Sequence, residues 1–399
     1  MNKIKLIVLL SQPVNAHIER KLNLNQLIEK GFDLEVLDLS AFMMPHYPNV
    51  DFRLNESPNL TITKLKSRKN LKSFLEQYSE RCVALDAANQ DPWIRHQLNC
   101  NQIPVIRYIA GGLPVSHPDV DGNISSTVSL IKRALGRVKR AEITGLIKNV
   151  FELCYKKYYF LFYRPYLNVL IIGGERLLWN ESQYINKDTL LIESHISDLE
   201  EYEKLLGYKV ERLPEKYLVF IDQNILNHPD FALQNTKYTD PIAYITRIQN
   251  FFEKVERLGY EVVIALHPRA DESGLQHQFG NRKCFKHKTA SLVANSTGII
   301  THFSNAINYA VLNYKPILFI ADTELIQMNF QIKILSSWLQ KSVLMLDEEI
   351  SLPSLQSELK SEGVYYQRYK QNFIQCKSDA GMPVVDILSE QVLRLSKLN

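Results

Sequence analysis

The sequence predicts an α/β protein built from two Rossmann-like domains that face a cleft. Short apolar runs alternate with amphipathic helical segments, and the alternation occurs in two series, before and after the segment Leu199–Pro214. Each series is roughly 180 residues long, which is the size of one domain. Strands that alternate with helices imply right-handed βαβ units and therefore a parallel sheet in each half.

The first series contains strand-length apolar runs separated by two helical segments. The runs are Lys5–Leu10, Leu34–Leu39, Cys82–Leu85, Val105–Ile109, Asn168–Ile172 and Leu190–Ile192. Helical periodicity covers Ile18–Lys30, which ends at Gly31, and Leu65–Gln77. A glycine directly after a periodic segment is typical of a helix C-terminus. These elements predict an N-terminal Rossmann-like domain over residues 1–205.

The second series follows Pro214 and predicts a second Rossmann-like domain over residues 206–399. Its predicted strands are Tyr217–Ile221, Glu261–Leu266, Gly298–His302 and Pro316–Ile320. Its predicted helices are Pro241–Leu258, Ala306–Asn313 and the closing segment Val384–Leu398. Ligands of such domains bind at the carboxyl ends of the strands, so polar residues there are the candidates for function.

The composition excludes several classes of protein. With 399 residues, 45% hydrophobic and 23% charged, the chain is of ordinary globular type and is not disordered. A net charge of +4 is too small to indicate a nucleic-acid partner. The five cysteines are scattered without a CxxC pair, which fits reduced thiols in the cytoplasm. No apolar run reaches the roughly 18 residues of a membrane span, and Ile4–Leu10 is interpreted as a buried strand and not as a secretion signal.

Positive charge is concentrated in one place. The segment Ile131–Tyr166 has nine basic and two acidic residues, and it lies in a helical segment, 126–164, that ends in the aromatic run Tyr158–Tyr163. A basic amphipathic helix with aromatic residues at its border is typical of a membrane surface. We expect contact with anionic lipid, and the alternative is a solvated basic face whose aromatic residues complete the core. The candidate membrane-surface residues are Lys132, Arg133, Arg137, Lys139, Arg140, Lys156 and Lys157.

The sequence His267-Pro268-Arg269 directly follows the apolar run Glu261–Leu266. Pro268 ends the strand and fixes the turn, and Arg269 adds a fork of hydrogen-bond donors. An imidazole beside a guanidinium suits a phosphate-bearing ligand, since the histidine can donate to a phosphate oxygen or protonate it as it leaves. Taken alone, the motif more often describes a histidine that only hydrogen-bonds the backbone at a strand end.

A second candidate lies where Gly298–His302 turns into a helix at Ser304 and Asn305. Serine is a favoured helix N-cap, and the free N–H groups of a first helical turn attract anions. An ordinary capped helix is the alternative. The histidine motif on a neighbouring strand favours a phosphate site.

The strand Tyr217–Ile221 delivers a third candidate, Asp222, to the cleft. Its carboxylate is either a general base toward an acceptor hydroxyl or a turn cap, and the residues alone leave both interpretations open. The sequence contains no HExxH, DxD, GxGxxG or Walker A motif and no Cys/His cluster with metal-ligand spacing. We therefore expect neither a metal nor a cofactor.

The order Asp222-Gln223, His267-Pro268 and Ser304-Asn305 resembles the signature set of bacterial GT-B sialyltransferase-like enzymes. The resemblance covers about residues 215–320 and implies a GT-B fold and the transfer of sialic acid, Kdo or a related nonulosonic acid from a CMP-activated donor. Pseudaminic acid ranks first, and the acceptor would be a glycan or lipid-linked glycan of capsule or surface polysaccharide. The implied location is the inner face of the cytoplasmic membrane.

The resemblance also implies roles for the domains and for single residues: residues 1–205 would form the acceptor-side domain and residues 206–399 the nucleotide-sugar-binding domain. His267 would contact the CMP phosphate and act as general acid, Ser304 with Asn305 would bind that phosphate, and Asp222 would be the base. Two positions depart from the family pattern: Asn305 stands where Ser or Thr is usual, and Asp222-Gln223 replaces an acidic pair followed by Gly. The second departure leaves inversion and retention at the anomeric carbon both open.

Two other classes of function remain as alternatives. Tyr314-Lys315-Pro316 before a strand resembles a feature of teichoic-acid-type CDP-glycerol or CDP-ribitol phosphotransferases, which would bind two donor phosphates instead of one. The other alternative is a non-catalytic GT-B scaffold, which would bind no nucleotide.

Overall fold

The computed structural model describes residues 4–45, 57–78, 82–88, 91–116, 151, 153–208, 210, 213–227, 240–268, 270, 278–361 and 363–397. Thirteen parallel strands in these residues form two separate sheets. The predicted α/β class with two Rossmann-like domains is therefore confirmed.

The first sheet has seven strands in the order β3-β2-β1-β4-β5-β6-β7. The strands are β1 Lys5–Leu10, β2 Asp33–Asp38, β3 Leu60–Lys64, β4 Cys82–Ala87, β5 Val105–Ile109, β6 Val169–Ile172 and β7 Leu190–Glu193. Its α-helices are Ala16–Leu22, Leu24–Glu29, Ser40–Met43, Arg68–Leu75, Pro92–Cys100 and Ser197–Lys204, with a further helix over 153–162. Short 3₁₀ turns occupy Glu175–Asn180 and Ser182–Tyr184.

The second sheet has six strands in the order β10-β9-β8-β11-β12-β13. The strands are β8 Tyr217–Ile221, β9 Glu261–Leu266, β10 Cys284–Lys286, β11 Gly298–Thr301, β12 Ile317–Ala321 and β13 Val343–Met345. The helices that follow Pro214 are the 3₁₀ turn Ile225–Asn227 and Pro241–Arg257, Thr289–Asn295, Ile307–Leu312, Ile326–Trp338, Leu352–Glu358, Gly363–Phe373 and Val384–Ser396.

The single helix predicted at Ile18–Lys30 is two helices in the structure. Asn23 separates them in the left-handed conformation, with φ of 54°, and its N–H donates back to the carbonyl of Arg20. Asparagine adopts this conformation more readily than most residues, so the chain ends one helix and begins the next without a loop.

The helix Val384–Ser396, placed by the sequence at the end of the second domain, packs on the first sheet. Six of its apolar residues join the core formed by one face of β1, β2 and β4. The chain crosses back just before this helix, where Ile196 N–H donates to Ile374 O at 2.9 Å and Cys376 N–H donates to Ser194 O at 2.8 Å. The amphipathic pattern of this helix would fit either sheet. The crossing of the chain places it on the first sheet. The boundary at 205/206 itself stays a prediction.

The crossing depends on a glycine. A Cβ at Gly174 would lie 2.5 Å from the carbonyl oxygen of Asn372, so only glycine lets the returning backbone pass this close. His195 adds a polar connection, with Nδ1 2.8 Å from Asp379 and Nε2 3.3 Å from Glu200. Burial alone would lower the pKa of His195, but these two carboxylates raise it, so the imidazolium form strengthens the crossing.

The carboxyl edges of the two sheets meet beside the linker. Asn308, in the first turn after β11, donates its amide to Asp198 at 2.8 Å, in the first turn after β7. Tyr309 donates its hydroxyl to Glu201 at 2.5 Å. Burial raises the pKa of Asp198 to about 6. The two edges therefore face each other, as the sequence predicts.

Candidate functional site

The candidate site lies at the carboxyl edge of the second sheet, where the direction of the strand order reverses. β9 and β10 lie on one side of β8, and β11 to β13 lie on the other. Such a reversal opens a crevice between the loops that leave the two central strands, and ligands of doubly wound sheets bind there. The catalytic and phosphate-binding residues predicted from the sequence all follow β8, β9 or β11 along the chain.

Asp222 lies directly after β8 and is buried. Its Oδ1 accepts the N–H of Asn224 at 2.8 Å, and its Oδ2 accepts the N–H of His267 at 3.2 Å. These contacts are those of a cap, the second interpretation that the residues left open. The general-base role stays a prediction.

Gln223 acts in the same way toward the other neighbouring loop. Its side-chain Oε1 accepts the N–H of Phe303, just after β11, at 2.8 Å. Asp222 and Gln223 therefore connect the exit of the central strand to both neighbouring exits, one residue to each side. We call this pair the exit clamp. The contact of Gln223 with Phe303 was not predicted, since these residues are 80 positions apart in the sequence and only the fold brings them together.

The exit clamp places His267 and Pro268 at the rim of the crevice. His267 is partly exposed and Pro268 is exposed, and the carbonyl of His267 accepts the N–H of Ala270 at 2.9 Å in the turn that follows. His267 thus follows the strand end, where the sequence places it, and its contact with a phosphate stays a prediction. Arg269 lies outside the described residues.

Ser304 and Asn305 precede the helix and are not its first residues, which corrects the sequence-based prediction. The helix begins at Ile307, and Ser304 Oγ accepts the N–H of Ala306 at 3.2 Å in the turn before it. Ser304 is partly buried and Asn305 is exposed. A serine hydroxyl that accepts one hydrogen bond still has a hydrogen to donate, so the predicted contact to a phosphate oxygen is compatible with this turn.

His302 lies beneath the crevice and was not singled out from the sequence. Its ring is fully buried at the end of β11, next to Phe220, and the hydroxyl of Tyr244 lies 3.5 Å from its Nε2. Burial lowers the pKa of His302 to about 3, so the ring is neutral. Within the described part of the chain, His302 Nδ1 and Thr301 Oγ1 have no hydrogen-bond partner.

The membrane-surface candidates are only partly described. Lys156 is half-buried and Lys157 is exposed on the helix 153–162. Lys132, Arg133, Arg137, Lys139 and Arg140 lie outside the described residues. The described residues contain no helix that is both long and apolar enough to cross a bilayer. They also contain no group of three His, Cys, Asp or Glu side chains placed to hold a metal ion.

Comparison with known proteins assigns the architecture. No protein-family model matches the sequence, and no curated protein sequence matches it. Among solved structures, the calicheamicin glycosyltransferase CalG4 is similar at a TM-score of 0.53 and 11% identity, covering 99% of this chain and 100% of that chain. A variant of Os79 from O. sativa, in complex with UDP, is similar at 0.52 and 12%, covering 98% and 100%. A variant of the wall teichoic acid polymerase TagF is similar at 0.51 and 11%, covering 99% and 90%.

At these identities the likeness concerns the fold. The two parallel sheets, with their helices and facing carboxyl edges, are the two Rossmann-like domains of the GT-B fold.

Proposed function

We propose that this chain is a glycosyltransferase that binds a nucleotide-activated donor at the carboxyl edge of the second sheet. The observation that carries the proposal is the exit clamp, which holds the loops of His267 and Ser304 on either side of the crevice. The fold shared with CalG4, a glycosyltransferase, and with Os79, whose structure contains UDP, supports the same class of ligand.

The proposed chemistry uses the residues at the rim. His267 donates a proton to the phosphate oxygen that departs with the nucleotide, and Ser304 with Asn305 donates hydrogen bonds to the other phosphate oxygens. Pro268 keeps the imidazole at the strand end. Arg269 is a further proposed phosphate ligand. Asp222 positions His267 through the backbone.

We propose a CMP-activated nonulosonic acid as the donor, with pseudaminic acid first, and a glycan or lipid-linked glycan at the inner face of the cytoplasmic membrane as the acceptor. The support is the order of the three motifs along the chain. We propose no cofactor and no metal in this reaction, since the CMP-sugar is a co-substrate.

A CDP-glycerol or CDP-ribitol phosphotransferase is the second candidate, favoured by the fold shared with TagF. The Lys315-Pro316 feature does not add to it. Lys315 precedes β12, at the sheet edge opposite the crevice, and its Nζ donates to the carbonyl of Ser296 at 2.7 Å. A lysine at that edge does not reach a phosphate at the other.

The test is thermal unfolding of the full chain with CMP, CDP, UMP or UDP, each with and without Mg²⁺. We expect CMP alone to raise the unfolding temperature, since a ligand at 100 times its Kd stabilises the folded state by about 2.7 kcal/mol. His267→Ala should unfold at the wild-type temperature without nucleotide and show a smaller shift with CMP.

The other outcomes discriminate among the alternatives. A preference for CDP would replace the nonulosonic acid transferase with the phosphotransferase, and a preference for UDP would refute the CMP donor. No shift with any nucleotide would refute the enzyme and leave the non-catalytic scaffold. A CMP shift that His267→Ala leaves unchanged would remove His267 from the phosphate site.

A further inference from the structure

We propose that the outward face of the helix 153–162 binds the surface of an anionic lipid bilayer. This helix carries its apolar side chains toward solvent. Phe151, just before it, is 73% exposed, Leu161 is 71% exposed and Phe162 is 66% exposed. Tyr158, which precedes Leu161 and Phe162 by three and four positions, adds 47% on the same side. Apolar residues three and four positions apart form one continuous stripe on a helix.

The exposure does not come from a loosely attached helix, because the opposite face is firmly packed. Tyr155 donates its hydroxyl to Asp91 at 3.2 Å. The rings of Phe160 and Tyr184 lie 4.8 Å apart, edge to face. An anchored helix with an uncovered apolar stripe is a docking surface, since large exposed apolar patches are rare on proteins that bind nothing there.

The orientation of the helix relates this surface to the crevice. Tyr155 lies beside Asp91, the N-cap of the helix Pro92–Cys100, whereas the ring of Tyr163 lies 4.2 Å from that of His96, one turn further along. The two helices therefore run in the same direction. The Pro92–Cys100 helix starts at the carboxyl edge of the first sheet, so the Phe151 end of the docking surface lies toward that edge. A bilayer on this face would lie beside the carboxyl edge of the first sheet, which faces the carboxyl edge of the second.

The positive charge at this helix favours an anionic lipid surface over a second copy of this chain. Lys157 and Arg164 are exposed at this helix, and residues 153–166 contain three basic residues and no acidic one. A second copy of this chain would bring the same positive charge against itself, which is unfavourable. Anionic headgroups attract Lys and Arg while Phe, Leu and Tyr enter the interface. The inference rests on the proposed function in one respect: access to a lipid-linked acceptor is the reason to bind a membrane.

The experiment is co-sedimentation of the full chain with vesicles of phosphatidylcholine, alone or with phosphatidylglycerol. We expect binding to the anionic vesicles, and loss of about tenfold or more in the partition coefficient for the double variant Leu161→Ser and Phe162→Ser. The matched control is Ile242→Ser and Phe330→Ser, which are 68% and 60% exposed in the second domain and should leave binding unchanged.

A second variant separates charge from insertion. Lys157→Gln with Arg164→Gln should weaken binding to anionic vesicles by roughly tenfold and leave the weak binding to phosphatidylcholine unchanged. All these positions are exposed, so the unfolding temperature should stay at the wild-type value, which excludes misfolding as the cause.

Three results would overturn the proposal: absence of wild-type binding to anionic vesicles, equal loss in the control variant, or self-association that the Leu161 and Phe162 variant abolishes. The last would make the surface a contact between copies. No substrate or nucleotide enters the measurement, so its failure is distinguishable from failure of the proposed donor site.

Discussion

Each sheet has a cluster of polar residues toward the carboxyl ends of its strands, and the two clusters are built differently. At the first sheet, Arg95 is fully buried between Asp86 and Glu181, at 2.6 Å from each, and Arg107 reaches Glu181 at 3.1 Å. At the second sheet, Asp222 accepts hydrogen bonds from the backbone, and the His267 imidazole is partly exposed.

The difference shows which kind of polar cluster is a candidate for ligand binding. In the first cluster each charged side chain is neutralised by another one. Burial alone would lower the pKa of Arg95, but Asp86 and Glu181 raise it, so the guanidinium is fixed in its charged form inside the first domain. In the second cluster the acceptors bind the backbone of the neighbouring loops, and the loops present their side chains at the rim. The first arrangement stabilises a domain, and the second builds a site.

The largest expected effect concerns the first cluster. Arg95→Met should lower the free energy of unfolding by about 3–5 kcal/mol, because it leaves buried Asp86 without a counter-charge and leaves Glu181 with Arg107 alone. Urea unfolding measures this loss. The control is Arg68→Met, because Arg68 is 46% exposed where it pairs with Asp91 and its loss should cost under about 1 kcal/mol. Equal losses in the two variants would show that the Arg95 network is not the structural element described.

The next effect concerns Asp222. Asp222→Asn keeps an oxygen for one backbone N–H but turns an NH₂ group toward the other, so the free energy of unfolding should fall by about 1–3 kcal/mol. Nucleotide affinity should fall with it, because the loop of His267 loses its anchor. Urea unfolding and the pH dependence of turnover are the two measurements.

The variant Asp222→Asn also distinguishes a positioning role of Asp222 from a general-base role. A positioning role leaves the acidic limb of the pH–rate profile in place, whereas a general base would remove that limb and cost about 10²–10⁴ in turnover. Unchanged stability together with a lost acidic limb would therefore contradict the clamp.

The smallest effect concerns Gln223. Gln223→Ala removes the acceptor for the N–H of Phe303 and should lower the free energy of unfolding by about 0.5–1.5 kcal/mol. Donor affinity, measured by calorimetry, should fall several-fold. Gln223→Glu adds a negative charge beside Asp222 and the proposed phosphate site, so it should lose more stability and more donor affinity than Gln223→Ala. Unchanged stability and affinity in Gln223→Ala would show that the contact to Phe303 is not what the residue provides.

The central strands of both sheets could be predicted from the sequence, because buried parallel strands are continuous apolar runs. Lys5–Leu10, Val105–Ile109, Tyr217–Ile221 and Glu261–Leu266 have the predicted bounds. Leu60–Lys64 was missed, since its residues are largely exposed at the edge of the first sheet. The short edge strands Cys284–Lys286 and Val343–Met345 were also missed, because three residues carry too little pattern.

The site was predictable in its residues and less so in their roles. His267, Ser304 and Asp222 follow strand ends, a position that the sequence shows directly. The contacts that give Asp222 and Gln223 their function join loops 45 and 80 residues away, and no local pattern records them.

The return of the last helix to the first sheet has a consequence for how the chain is made. The core on one face of β1, β2 and β4 is completed by Val384–Ser396, so part of that face stays uncovered until the ribosome has synthesised this helix. One face of the second sheet has a core built only from residues after Pro214, and its other face shares a core with the first half. The half that is translated first thus completes its own core only after the second half has been synthesised.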